Sequence, residues 1–324
     1  MSPRLQQVGR WLASLAALAI LAYLVWRAHP RALLDRLATA DWWFLAAAMA
    51  INFAQVGLKA ARLRTLLLPV KRVGLGALYR YFLIGYAGNN VLPLRGGEVL
   101  RLALLRQREA VPAGAFVGVF SAERVLDGAC LVAIAAVLPL LVPIPPAARA
   151  ALGVLALATV GGYVALLVIA ARWGTAPEGA GRLRRFVANL ALGTRALRRP
   201  ALLASGLATS MGALIFEGII IVLVMRGFAL PFHAAAPPLV ILFVNLALTA
   251  PNAPANLGAF EAGAVLALAV CGIGETHALA FALAYHAVHL VPVTLAGAFA
   301  YATMPTHREE PPALASASTA QGER

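Results

Sequence analysis

NNVLPLRGGE, residues 89–98, interrupts an apolar stretch that otherwise runs from 75 to 108. PNAPANLGAFE, residues 251–261, does the same to the stretch 237–272. Pro, Gly and Asn stop helices and satisfy their ends. Backbone left unpaired at membrane depth is tolerated only where protein or a water-filled cavity covers it. Each stretch therefore reads as a re-entrant hairpin, with a half-helix in, a turn near mid-membrane and a half-helix out.

The membrane setting follows from composition. Of 324 residues, 61% are hydrophobic and 12% charged, against about one half and one quarter in a soluble domain. A mean hydropathy of +0.82 agrees. These values exclude a soluble enzyme, a disordered scaffold and a disulfide-rich secreted module. Cys130 and Cys271 lie in apolar runs and read as small hydrophobes.

A hydrocarbon core about 30 Å thick needs roughly 20 apolar residues per helix. Six segments meet this, at about 11–27, 42–58, 113–138, 150–171, 201–225 and 277–303. The first resembles a signal peptide, but no small-residue cleavage site follows it, so an uncleaved helix is expected. With the two hairpins, the expected fold is an all-α polytopic membrane protein of six full helices. It divides into two repeats, 1–145 and 146–304, each reading helix, helix, hairpin, helix. The second repeat starts from the opposite side, so the repeats are inverted, a mark of secondary transporters. Residues 305–324 read as a disordered tail.

Net charge is +14. With the N-terminus, 59–80, 95–109, 172–199 and the C-terminal tail on the cytoplasmic side, 21 of the 27 basic residues lie there, as the positive-inside rule requires. The 172–199 loop carries seven Arg and reads as a topology signal rather than a nucleic-acid site.

A charged side chain at mid-bilayer costs about 2.5–3.5 kcal/mol on insertion scales, so each one needs a reason. The candidates are Glu98, Glu123, Arg124, Asp127, Glu217 and Glu261. Glu123 and Asp127 share a helix face, with Arg124 within reach of Asp127. The cluster reads either as a structural ion knot or as a polar wall that meets a head group or relays protons. Arg95, in the first break, either contacts phosphate, or pairs with Glu98 or snorkels to the cytoplasmic surface. Asn89, Asn90, Asn252 and Asn256 are expected to satisfy broken backbone ends and to hydrogen-bond a head group. Glu217 has no basic neighbour in sequence; it is either protonated or paired with Arg124. Glu261 sits in the first turn of its half-helix, where the dipole favours a carboxylate. It also reads as a partner for a cationic group or as an exchangeable proton. His286 and His289 read as packing or hydrogen-bonding groups, with no ligand set beside them. No metal and no cofactor are expected. The motif for an ATP phosphate loop is absent, as are G-x-S-x-G and H-E-x-x-H.

Three blocks carry a family resemblance: NNVLPLRGGEVLRLALLR (89–106), SAERVLDGACL (121–131) and PNAPANLGAFEAGAVLAL (251–268). Together they resemble the lysylphosphatidylglycerol synthase transmembrane family, the flippase-like membrane half of the bacterial multiple peptide resistance factor, over about 8–303. Asn90, Pro93, Gly97 and Glu98 match the first family block. Glu123, Arg124 and Asp127 match the second, and Pro254, Gly258 and Glu261 the third. The resemblance implies movement of a polar lipid between leaflets of a bacterial inner membrane; the charge count above puts both termini on its cytoplasmic side. The chain lacks the soluble domain that transfers lysine from tRNA, so synthase activity is not expected. The implied partners are a membrane lipid (phospholipid, aminoacyl-phospholipid, hopanoid or polyprenyl-linked) and a second copy or a lipid-synthesising enzyme. Two other readings stand beside the transporter: an integral-membrane enzyme acting on a head group, and a non-catalytic partner of such an enzyme.

Overall fold

The computed structural model describes residues 22–92, 96–142, 146–173, 181–249 and 254–305. Within them the protein is helical, with no strand. Helix α1 is described over 22–27. It is followed by α2 (Pro30–Ala38), α3 (Trp42–Leu67), α4 (Leu75–Val91), α5 (Gly96–Glu109) and α6 (Ala113–Val137). The second half holds α7 (Pro146–Arg172), α8 (Arg182–Thr194), α9 (Pro200–Gly227), α10 (Ala236–Ala247), α11 (Ala259–Val270) and α12 (Glu275–Ala302).

Among the described residues, four helices are long and apolar enough to cross a membrane: α3, α7 from Leu152, α9 and α12. Their 21 to 28 residues correspond to about 32–42 Å at 1.5 Å per residue. Helix α6 has comparable length, 25 residues, but carries Glu123, Arg124 and Asp127 at its centre. The two interrupted stretches form two pairs of shorter helices, α4 with α5 and α10 with α11, each pair packed together.

Local chemistry sets the helix ends. Asp41 caps α3, its carboxylate accepting the Trp43 N–H at 3.0 Å. Proline opens α2 and α9 at the first helical position, where its missing N–H costs nothing. Two helices differ from the sequence expectation. The span beginning at Trp42 does not stop at 58 but continues to Leu67, so Lys59, Arg62 and Arg64 lie on a helix rather than in a loop. The basic 172–199 segment contains a full helix, α8, packed on α6 and α7. It exposes Arg182, Leu183, Arg184, Arg185 and Phe186.

Helix α12 is the junction of the fold. It packs against α4 of the first short pair and α11 of the second, as well as α3 and α9. The turn Pro254–Asn256, in the break of the second pair, packs against α4 of the first. That turn reverses the chain through left-handed backbone at Ala255, Asn256 and Gly258 (φ 56°, 58° and 81°), which Gly and Asn adopt most readily.

The apolar interior falls into two clusters. One gathers α2, the first part of α3, the last parts of α6 and α9, the second short pair and the first part of α12. The other gathers the remainder of α3, the first short pair, the first part of α6 and the end of α12. The boundary crosses α3 between Ala48 and Val56, α6 between Leu126 and Leu131, and α12 between Val288 and Val293. In each helix this is close to the midpoint.

Within the first short pair the backbones touch. A Cβ on Gly97 would stand 1.7 Å from the Gly85 carbonyl oxygen and 2.6 Å from the Asn89 nitrogen. Gly97→Ala is expected to lower the melting temperature in detergent by several degrees, an overpacking cost of about 1–3 kcal/mol or more. Gly153→Ala, on an open face of α7 with nothing within 4 Å, should leave it unchanged or raise it. Equal melting of the two variants would show that the close approach is not required.

Candidate functional site

Polar side chains occupy the boundary between the two apolar clusters. Helix α3 supplies Asn52, Gln55, Lys59 and Arg62, spaced three, four and three residues apart and so on one face. Helix α6 supplies Glu123 and Asp127, α9 supplies Ser210 and Glu217, and α12 supplies Tyr285, His286 and His289. The short pairs add Glu98 and Arg101 from α5 and Glu261 from α11.

The first group is an ion network of three guanidiniums and three carboxylates. Arg62, 3% exposed, donates to Asp127, to Ser210 Oγ at 2.8 Å and to Glu123 Oε1 at 3.4 Å. Arg101 Nη2 lies 2.8 Å from Glu98 Oε2 and donates to Glu123 Oε2 at 3.3 Å. Its guanidinium also lies over the Phe82 ring, 4.4 Å from the centroid. Glu123, buried, thus bridges the two arginines. Arg124 is 52% exposed and reaches Asp127 Oδ2 at 3.4 Å.

A second group lies between α3, α9 and α12. Lys59 donates to Gln55 Oε1 at 3.1 Å. The Gln55 amide donates to Glu217 Oε2 at 2.6 Å and to the Ala213 carbonyl at 2.8 Å. Tyr285 donates to Glu217 Oε1, and His289 Nε2 lies 2.9 Å from the same oxygen. Asn52 meets a different need. Pro292 lies inside α12 and cannot donate to the carbonyl four residues back, that of Val288. Asn52 Nδ2 donates to this carbonyl at 3.1 Å.

The third group holds the second short pair. Glu261, 1% exposed, lies 2.6 Å from His286 Nδ1. Its other oxygen accepts the Gly258 N–H at 2.7 Å, capping α11. Phe260 stacks on the His286 ring at 4.3 Å between centroids.

A cleft of about 160 Å³, counting its open mouth, is lined by Phe82, Gly85, Tyr86, Asn89, Glu98 and Arg101. Asn89 Oδ1 is buried there with no hydrogen-bond partner, an acceptor available to a ligand donor. Asn90 ties α4 to α12 instead, its amide donating to Thr294 Oγ1 at 2.7 Å.

Of the residues singled out from sequence, Glu98, Glu123, Arg124 and Asp127 come together in one network, while Glu217 on α9 and Glu261 on α11 form separate groups with side chains of α12. Glu217 is not paired with Arg124; its partners are Gln55, Tyr285 and His289. Asn256 lies in the turn against α4. Arg95 and Asn252 are outside the described residues. Sequence reading missed Gln55, Lys59, Arg62 and Arg101. The polar stripe of α3 at helical spacing, and an Arg three residues after Glu98, were the available signals. Among the described residues no group of three His, Cys, Asp or Glu is placed to hold a metal ion.

Fold and site together describe an all-helical membrane protein with a polar layer across its middle. The chain matches the family described as "Lysylphosphatidylglycerol synthase TM region" over residues 10–297. It belongs to that family, which places it in a membrane lipid setting. No curated protein and no solved structure matches it significantly.

Removing one member of a buried ion pair leaves the other uncompensated, at about 3–5 kcal/mol. Arg62→Met should therefore destabilise the protein strongly, seen as a lower melting temperature or loss of monodisperse protein in detergent. Arg62→Met combined with Glu123→Gln should recover part of the loss, because the charge balance returns. A double variant no better than the single one would show that the cost is packing rather than charge.

Proposed function

We propose that the protein is a lipid transporter that moves a polar-headed lipid between leaflets. The observation that carries this reading is the polar layer at the midpoints of α3, α6, α9 and α12. An ionic layer at that depth is costly in a bilayer, and it suits a head group that must cross there. In this reading α4/α5 and α10/α11 are re-entrant hairpins meeting at the turn 254–256, and residues 1–145 and 146–304 are inverted repeats. With the helix ahead of α2 and with α6, the four apolar helices make six full spans. The head group passes along the polar layer while the acyl chains stay in lipid. Arg124, half exposed midway along α6 with one 3.4 Å carboxylate contact, meets the lipid phosphate. Asn89 and Glu98 offer acceptors at the cleft. The basic segments and both termini face the cytoplasm of a bacterial inner membrane.

A transporter fits better than a membrane enzyme for one reason. Each carboxylate of the layer is engaged by a cation, a histidine or a hydrogen-bond donor, which suits a binding wall more than a general base.

Native mass spectrometry of the protein extracted with its own lipids tests the reading. One lipid class should be retained well above its share of the membrane and lost, tenfold or more, in Arg124→Gln. Retention of bulk lipid alone, unchanged in that variant, would sink the reading and favour a non-catalytic partner of a lipid enzyme.

A further inference from the structure

Among the described residues, the charges of the polar layer do not balance without a proton. Its first network does: Arg62, Arg101 and Arg124 face Glu98, Glu123 and Asp127. What remains among the described residues is Glu217 and Glu261 against one cation, Lys59. Lys59 reaches Glu217 through the Gln55 amide. Glu261 has a different partner, His286 Nδ1 at 2.6 Å, and is 1% exposed. A bare carboxylate at that depth, beside a neutral imidazole, is costly. One proton shared between them removes the cost, held either as imidazolium and carboxylate or as imidazole and carboxylic acid.

The second histidine also faces a carboxylate, on less buried side chains, although its Nε2 is itself buried and makes no hydrogen bond of good geometry. His289 Nε2 lies 2.9 Å from Glu217 Oε1, with side-chain exposures of 20% and 14%. The two pairs are neighbours on α12, three residues apart. Phe260 is stacked on His286 and lies 6.3 Å from the His289 ring centroid. Tyr285 meets His289 edge-on at 5.0 Å and donates to Glu217.

We propose that His286–Glu261 and His289–Glu217 are two proton-binding sites, one sealed and one on partly exposed side chains, and that the proton is the coupling ion of the transport proposed above. The second clause rests on that reading; the first does not. Each neighbouring element contributes to the electrostatics of these sites. Helix α3 brings Lys59 with the neutral Asn52 and Gln55, α9 brings Glu217, and α11 brings Glu261. Helix α4 brings Asn90 and Tyr86, the latter under Lys59 at 5.6 Å. The first turn of α12 lies far from both pairs, and there Glu275 pairs with Arg27 at 2.9 Å. Glu261 also caps α11 through the Gly258 N–H. Moving the proton between His286 and Glu261 therefore changes the bond between α12 and the second short pair, which gives proton exchange a structural consequence.

Two measurements test this. The first is infrared titration of the purified full chain in detergent between pH 5 and 9. Carboxyl bands that change over this range are expected, one lost in Glu261→Gln and the other in Glu217→Gln. His286→Asn and His289→Asn should each shift the titration of their own partner while the protein stays monodisperse. Bands that do not move with pH, or that the histidine variants leave unchanged, overturn the proton sites. The second uses phosphatidylethanolamine–phosphatidylglycerol proteoliposomes with fluorescent phosphatidylglycerol as the probe. An imposed pH gradient should change its movement at least fivefold, nigericin should abolish the effect, and His286→Asn should make movement insensitive to the gradient. Movement that ignores the gradient in the wild type overturns the coupling. No movement of the probe under any gradient counts against the transport reading, while the infrared result still decides the proton sites.

Discussion

The Arg62–Glu123–Arg101 bridge is the constraint on which the rest of the structure depends. Both guanidiniums are almost fully buried, and Glu123 holds one with each oxygen. None of the three could remain in an apolar interior alone, because desolvating an ion costs more than any single neutral contact returns. Together they fix the depth at which α3, α5 and α6 meet. The apolar side chains then divide above and below this layer into two clusters. Hydrophobic burial gives the molecule compactness, and the ion layer gives it register.

Helix α12 carries the corresponding role for the other half of the layer. Pro292 removes a helical hydrogen bond near the middle of α12, and the carbonyl it frees is taken by Asn52 from α3. Beside that point are Tyr285, His286, His289 and, one turn on, Thr294, which receives Asn90 from the first short pair. Gly297 lets the α4 backbone come close, since a Cβ there would stand 2.2 Å from the Leu83 carbonyl oxygen. A helix that is interrupted at its centre and polar there would be unstable in lipid by itself. It is tolerated because each interrupted group finds a partner on a different helix, the condition under which membranes accept broken helices.

The breaks were legible from sequence because Pro, Gly and Asn announce themselves inside apolar runs. Glu98, Glu123, Asp127, Glu217 and Glu261 were legible because acids are scarce there. The cations were not. Lys59 and Arg62 follow seventeen mostly apolar residues, so the natural reading ends the membrane span at 58 and sends them to a basic loop. The helix in fact runs nine residues further, and their periodicity with Asn52 and Gln55 is the only local trace of it. Arg101 was lost in the same way, among the basic residues of 95–109. An arginine count on the cytoplasmic side is a good guide to orientation, yet it hides those arginines that turn inward. Which acid pairs with which base was not legible at all, since Glu217 meets Gln55 across 162 residues and His289 across 72.

The two short pairs are held by contacts of different kinds. The first is tied down by Glu98 and Arg101, permanent charges that reach α6 through Glu123, and by a glycine contact between backbones. The second is tied to α12 by one histidine–carboxylate contact and by the stacking of Phe260. Its turn is left-handed at three positions. Permanent ion pairs do not respond to proton supply in the physiological range, whereas an imidazole–carboxylate pair does. The two short pairs therefore differ in the chemistry that holds them. The first pair acts as the fixed wall of the polar layer, and the second is the side on which a change of protonation acts.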